Sequence, residues 1–106
     1  MKESKFQKKL INILEKTYSD CIIMKNDPTY IQGIPDLLIL YKDKWVALEC
    51  KDNKDASHQP NQDDYVEALN KMSYSSFVYP ENLEEVLNDI QRTFEPGRKT
   101  RSSRRK

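Results

Sequence analysis

Apolar positions near both ends of the chain recur with the period of a helix. A first helix is predicted over residues 2–18 by apolar residues that share one helical face, namely Phe6, Leu10, Ile13 and Leu14. A last helix is predicted to end before Pro96, and its apolar face consists of Leu83, Val86, Leu87, Ile90 and Phe94. Each helix is therefore expected to pack against a core with one side.

Between these helices, apolar runs predict strands. The first covers residues 21–25 and ends at a turn signal, and a short late strand covers residues 75–79. Residues 37–41 form a continuous apolar run, which is typical of a strand buried on both faces. After a tight polar turn, residues 45–51 form the next strand, so these two neighbours are predicted to make a hairpin.

The hairpin register decides which polar side chains meet. A turn centred on residues 42–43 pairs Tyr41 with Lys44. Counting outward along the antiparallel ladder brings the carboxylates of Asp36 and Glu49 onto adjacent strands, with Cβ atoms about 5 Å apart. Two acidic groups are thus expected to lie together at one end of the hairpin.

A second helix is predicted to begin at Pro60, because proline suits the first helical position. Residues at helical spacing are expected on its inward face: Gln62, Tyr65, Val66, Leu69 and Met72. The element order is then αβββαβα. This order predicts an α/β domain with a mixed sheet of about four strands flanked by helices, followed by a C-terminal helix.

Composition limits the chain to one small domain. Apolar residues make up 37% of the 106 residues and charged residues 33%, so the core is small. No apolar run could cross a membrane, and the first residues lack a secretory signal. Cys21 and Cys50 lack C-x-x-C spacing and the chain has one histidine, so reduced cysteines are expected rather than a structural zinc site. A cytoplasmic protein with no membrane partner is predicted.

The charge is distributed unevenly along the chain. Of 18 basic residues, six lie in residues 97–106, which contain no acid, and the remaining 12 face 17 acidic residues in residues 1–96. The domain is therefore predicted to span residues 1–96 at a net charge of −5, with a disordered basic tail of +6. The tail is expected to bind nucleic acid through Arg98, Lys99, Arg101, Arg104 and Arg105, the alternative being a solubilising terminus.

The paired carboxylates suggest metal-assisted chemistry on a phosphate. Hydrolysing a phosphodiester requires charge stabilisation at an already anionic centre, a task suited to Mg²⁺ (or Mn²⁺) held by carboxylates such as Asp36 and Glu49. Lys51 lies on the same strand face as Glu49, where it can orient the attacking water or help to deprotonate it. Glu3, expected on the core side of the first helix, can add a ligand. The number of metal ions stays open.

Two short segments resemble the signature of the PD-(D/E)XK nuclease superfamily. They are Gly-Ile-Pro-Asp at residues 33–36 and Glu-Cys-Lys at residues 49–51. The flanking apolar strands, a glutamate on the first helix and Pro-Asn-Gln at residues 60–62 extend the likeness over about three quarters of the chain. Glu3 is preferred to Glu15 as that glutamate, because Glu15 lies further from the expected site. The chain looks most similar to small VRR-NUC and Holliday-junction-resolvase-like nucleases, many from phages.

The resemblance implies a restriction-endonuclease-like fold and a role for each matching residue. Asp36 and Glu49 would be metal ligands, and the backbone carbonyl of Cys50 a further one. Lys51 would assist the water. Gln62 would support the site from the helix that follows the motif, and Glu3 would be an additional catalytic or metal-binding acid.

The function implied is Mg²⁺-dependent endonucleolytic hydrolysis of DNA by a homodimer without a small-molecule cofactor. Cutting of branched DNA, such as Holliday junctions, is the narrower expectation, because so small a domain reads backbone and shape. The host-cell cytoplasm is the expected location if the gene belongs to a phage. Two alternatives stay open: a catalytically inactive nucleic-acid-binding module, and a phage interaction protein whose acidic body mimics nucleic acid.

Other polar and aromatic residues have an ordinary interpretation. His58 is expected to be solvated in a polar loop, although it could touch a phosphate there. Trp45 and Tyr65 are expected to pack rather than stack on bases. Lys25 and Lys42 are expected at strand edges.

Overall fold

The computed structural model describes residues 1–97. The elements in chain order are α1 (Glu3–Thr17), β1 (Ile22–Lys25), β2 (Leu37–Tyr41), β3 (Lys44–Cys50), α2 (Gln62–Met72), β4 (Tyr74–Val78), a 3₁₀ turn (Pro80–Asn82) and α3 (Leu83–Phe94). The predicted order αβββαβα is confirmed, with the 3₁₀ turn as an addition. None of the described helices is long and apolar enough to span a membrane.

The strands form one mixed sheet of four strands, as predicted, and their order in the sheet is β1-β2-β3-β4. β1, β2 and β3 pair antiparallel, whereas β3 and β4 are parallel. Tyr41 pairs with Lys44 and Leu37 with Leu48, so the predicted hairpin register is confirmed. Lys42 has a positive φ of 57°, which allows the tight turn between β2 and β3.

One face of the sheet carries the core. Apolar side chains from α1 and α3 cover it, and three aromatic rings, those of Tyr18, Tyr41 and Phe94, close one end with every pair of centroids 5.1 Å apart. Burying a large apolar side chain of this kind stabilises a fold by about 1.5–3 kcal/mol. The main buried positions of the two helices are Phe6, Leu10, Leu14, Val86, Leu87, Ile90 and Phe94.

The opposite face is only partly covered, which corrects one prediction. β2 alternates between buried and half-buried side chains, so the expectation that residues 37–41 are buried on both faces is wrong. The reason is that α2, which covers this face, packs on β3 and β4. A shallow apolar cavity of about 300 Å³ remains beside it, lined by Leu38, Leu40, Trp45 and Leu69.

The second helix also differs from its prediction. It begins at Gln62 rather than at Pro60, because Asn61 has a left-handed backbone with φ of 73° that separates the proline from the helix. Met72 is 71% exposed, so it does not share the inward face as expected. Within α2 the buried side chain is that of Gln62. The helix is therefore held at its first residue by a polar group.

Candidate functional site

The signature residues lie together where the hairpin opens. Asp36 comes directly before β2, and Glu49 lies near the end of β3. Since Leu37 pairs with Leu48, continuing the register places Asp36 opposite Glu49, as the sequence predicts. The backbone N–H of Cys50 donates to Asp36 Oδ2 at 2.9 Å, so the aspartate side chain is fixed to the neighbouring strand.

Two contacts hold the backbone around Asp36. The Asn26 N–H donates to the Asp36 carbonyl oxygen at 2.8 Å, and Asn26 Nδ2 donates to the Pro35 carbonyl oxygen at 2.8 Å. Gly33 has φ of +92°, and a Cβ there would lie 2.6 Å from the Cβ of Asn61. The glycine thus lets the loop before Asp36 press against the start of α2.

Gln62 joins Glu49 and Lys51 into one network. Its Nε2 donates to Glu49 Oε2 at 2.9 Å, while its Oε1 accepts from Lys51 Nζ at 2.9 Å. Gln62 Oε1 also accepts from the Gln59 N–H at 2.8 Å. Lys51 Nζ donates to the Ser57 carbonyl oxygen at 3.0 Å and lies 3.9 Å from Glu49 Oε2. Only 2% of Glu49, 6% of Lys51 and 8% of Gln62 is exposed, so the network is shielded from water.

The two carboxyls compete for one proton. Burial, followed by the negative charge of Asp36, raises the pKa of Glu49 to about 8, while Lys51 opposes this rise. Burial also raises the pKa of Asp36, although the N–H of Cys50 lowers it. Glu49 therefore holds a proton near neutral pH when no cation is bound. Two buried carboxylates side by side favour either a proton or a cation between them.

Glu3 and Glu15 occupy different surroundings on α1. Partial burial and then the charge of Asp36 raise the pKa of Glu3, while Lys51 lowers it. The charge of Glu15 instead adds to the effect of burial in raising the pKa of the Cys21 thiol. Glu15 also lines a groove between α1 and β1. The structure therefore brings Glu3, which is largely exposed, into the electrostatic field of the site.

The oxygen atoms of this site are the kind of ligand that a hard divalent cation such as Mg²⁺ prefers. Glu49 Oε1 is buried without a hydrogen-bond donor in the described part of the chain. In a strand, the N–H and C=O of one residue point the same way, so the Cys50 carbonyl faces the Asp36 side, as its N–H does. Among residues 1–97, no group of three or more His, Cys, Asp or Glu side chains is arranged to hold a metal. Mg²⁺, however, commonly takes one or two carboxylates and completes its shell with water and phosphate oxygens.

Not every predicted site residue can be placed. The tail positions proposed for nucleic-acid contact, Arg98, Lys99, Arg101, Arg104 and Arg105, lie outside the described residues. Conversely, the Ser57 carbonyl and the Gln59 N–H enter the network unpredicted. Both are backbone groups of an irregular loop, so no side-chain pattern could have indicated them.

The comparisons with known proteins agree with this architecture. No family model matches the sequence, and no match is found among curated proteins. Among solved structures, the chain is similar to a VRR_NUC domain protein with a TM-score of 0.65 and 19% sequence identity, covering 92% of this chain and 91% of that one. The chain thus shares the fold of that VRR_NUC domain protein, as the resemblance in the sequence implied.

Proposed function

We propose that this protein is a metal-dependent endonuclease that hydrolyses phosphodiester bonds in DNA. The observation that carries the proposal is the buried network of Glu49, Gln62 and Lys51 beside Asp36. A fold does not need a lysine and two carboxyls enclosed at one point of its sheet. Burying such groups costs free energy, and they recur where chemistry requires them.

The proposed metal ligands are Asp36, Glu49 and the backbone carbonyl of Cys50, with Glu3 as an additional acid. Mg²⁺ or Mn²⁺ held by these groups would stabilise charge on the phosphate and would promote loss of a proton from water, so that hydroxide is available for attack near neutral pH. Once Glu49 has lost its proton, Asp36 and Glu49 together supply the negative charge that would hold the cation. Gln62 anchors Glu49 through Oε2, which leaves Oε1 directed to a ligand.

Lys51 is positioned to act on the attacking water or on the phosphate. An ammonium group has three N–H donors, and two of them are used by Gln62 Oε1 and the Ser57 carbonyl. Glu49 Oε2, at 3.9 Å, is an ion-pair partner beyond hydrogen-bond distance. The third donor has no acceptor among residues 1–97, so it is available to a water or phosphate oxygen, and the two protein acceptors fix its direction.

The substrate and setting belong to the same proposal. We favour DNA, and branched DNA in particular, because the domain has little surface for reading sequence and must recognise shape and backbone. The six basic residues of 97–106 would supply affinity that the acidic body lacks. We place this activity in the cytoplasm.

A homodimer is part of the proposal, since two sites are needed to cut both strands of a duplex in one encounter. Its support is the partly covered sheet face, where Ile22 is 60% and Met24 47% exposed beside Leu38 and Leu40. Side chains alternate along β2, so Leu38 and Leu40 project to the same face as Asp36. Leu40→Lys is expected to give monomers in sedimentation analysis. An unchanged wild-type dimer mass for this variant would place the contact elsewhere.

The direct test of the activity is cleavage of labelled four-way junction, flap, linear duplex and single-stranded DNA in Mg²⁺, Mn²⁺ or EDTA. Metal-dependent cutting should fall by about a thousandfold or more in Glu49→Ala and Lys51→Ala. Lys54→Ala, an exposed lysine of the following loop, is the matched control and should cut normally. A folded wild type that binds DNA but cuts none of the substrates would favour the alternative of an inactive binding module.

A further inference from the structure

His58 is exposed, as predicted, but its loop is fixed to the network of Glu49, Gln62 and Lys51. Its neighbours in sequence both bind that network, because the Ser57 carbonyl accepts from Lys51 Nζ at 3.0 Å and the Gln59 N–H donates to Gln62 Oε1 at 2.8 Å. The backbone on both sides of His58 is thus fixed to residues of the proposed site.

The His58 ring is held on two further sides. It stacks on the ring of Phe77 with centroids 4.0 Å apart and planes tilted by 14°. Phe77 is the partner of Glu49 in the parallel ladder of β3 and β4, and strands in a sheet lie about 4.8 Å apart. The imidazole therefore lies on the β4 residue that is the direct neighbour of Glu49 in the sheet.

Asp63, in the first turn of α2, fixes the orientation of the imidazole. Its Oδ1 lies 2.7 Å from His58 Nδ1, so Nδ1 carries a proton and donates it to the carboxylate. The other ring nitrogen, Nε2, has no hydrogen-bond partner among residues 1–97. The side chain keeps 38% of its surface exposed, so a ligand can reach it.

We propose that the His58–Asp63 pair binds a backbone phosphate of the DNA beside the cutting site, through Nε2. A phosphate oxygen is an acceptor, so Nε2 must carry a proton to bind it, and the Asp63 carboxylate stabilises the resulting imidazolium. The choice of DNA as the ligand rests on the proposed function. The pair itself is independent of the metal, since neither residue is among the proposed ligands.

The chain has one histidine and one tryptophan, which allows a direct spectroscopic test on the full-length protein. Imidazole ¹⁵N resonances are recorded while a short DNA duplex is added in EDTA, so that no cutting occurs. We expect the Nε2 resonance to move to the position of a protonated nitrogen as DNA saturates. The indole resonance of Trp45 is the internal control, because Trp45 lies four residues along β3 from Glu49, about 13 Å away.

Affinity measurements on variants complete the test. His58→Ala should weaken binding of the same duplex about tenfold, as expected for loss of a charged hydrogen bond. Asp64→Asn, which removes a neighbouring acid of α2, should tighten binding by reducing repulsion, whereas Asp63→Asn should not, because it also removes the support of the imidazolium. Circular dichroism confirms that each variant is folded.

The outcomes separate this inference from the proposed function. A histidine resonance unmoved at saturating DNA, equal effects of the Asp63 and Asp64 variants, or no binding of duplex at all would overturn it, and His58 would then only fasten the loop to α2. Binding through His58 by a protein that never cuts DNA would refute the nuclease activity and leave the phosphate contact standing.

Discussion

The two ends of α2 meet the same sheet face in opposite ways. At the first residue, Gln62 is 8% exposed and exchanges hydrogen bonds with Glu49 and Lys51. At the last residue, Met72 is 71% exposed, and nearby Leu69 borders a shallow apolar cavity with Leu40. An amphipathic helix usually attaches through its apolar face, whereas the buried side chain of this helix is an amide.

This difference shows how the molecule divides its stabilising contacts. The α1 and α3 side of the sheet supplies the apolar burial, with Phe6, Leu10 and Ile90 at 0–1% exposure. The α2 side positions polar groups at one end and leaves apolar side chains accessible at the other. The site end should consequently be sensitive to small changes in geometry, and the apolar end tolerant of substitutions as far as folding of the single chain is concerned.

The largest effect is expected for Gly33→Ala, which would separate the loop before Asp36 from α2. A Cβ at this φ of +92° would lie 2.6 Å from the Asn61 Cβ and 2.9 Å from the Pro60 carbonyl oxygen. Strain and overpacking together should lower the free energy of unfolding by about 2–4 kcal/mol. Urea denaturation measures this. Gly97→Ala has nearly the same φ, +91°, and apart from its chain neighbours no atom of residues 1–97 lies within 4 Å of its added Cβ, so this variant measures the cost of backbone strain alone. Equal losses in both variants would argue against tight packing at Gly33.

Glu49→Gln should change how stability depends on pH. The pKa of Glu49 is about 8 in the folded protein against an ordinary value of 4.5, so between these values the folded state binds more protons than the unfolded chain. Stability in EDTA should therefore fall as the pH rises from 4.5 to 8, by an amount on the order of a few kcal/mol.

Thermal melts at several pH values check this expectation. Near pH 4.5 the variant and the wild type should be similar, and at pH 8 in EDTA the variant should melt higher. Mg²⁺ should raise the melting temperature of the wild type at pH 8 and leave that of Glu49→Gln unchanged. If the melting temperatures of the two proteins changed in the same way with pH, the result would contradict the raised pKa of Glu49.

Gln62→Ala is expected to loosen the site without unfolding the protein. It leaves Glu49 Oε2 and one Lys51 donor without their partner, which should lower the free energy of unfolding by about 1–3 kcal/mol. Misplacement of Lys51 should slow cleavage about 100-fold, mainly in kcat. Single-turnover kinetics measures this rate, with Gln59→Ala as control, because within residues 1–97 Gln59 binds the network through its backbone N–H and not through its side chain. A wild-type kcat in Gln62→Ala would show that Gln62 does not contribute to catalysis.

The smallest effect is expected for Met72→Lys at the other end of α2. The side chain is 71% exposed, so the free energy of unfolding should change by less than about 0.5 kcal/mol. Urea denaturation under the conditions used for Gln62→Ala gives the direct comparison. A loss as large as that of Gln62→Ala would mean that the apolar end of α2 also anchors the helix.

The sequence indicated the element order and the hairpin register because both follow from local periodicity and from one short turn. It also indicated Asp36, Glu49 and Lys51 as a group, since alternation along a strand and antiparallel pairing fix which side chains share a face. Gln62 required the family resemblance in addition. Its hydrogen bonds join residues 11 and 13 positions apart through an irregular loop.

Tertiary structure decided which apolar side chains are actually covered. The apolar sequence of residues 37–41 is compatible with helices on one face of the sheet or on both. The half-exposure of Leu38 and Leu40 therefore depends on where α2 lies. The start of α2 was decided by the left-handed backbone of Asn61, which lies close against Gly33. The position of His58 between Phe77 and Asp63 was likewise beyond the sequence, because loop backbone carries no periodicity and its course is set by the groups that it finds to bind.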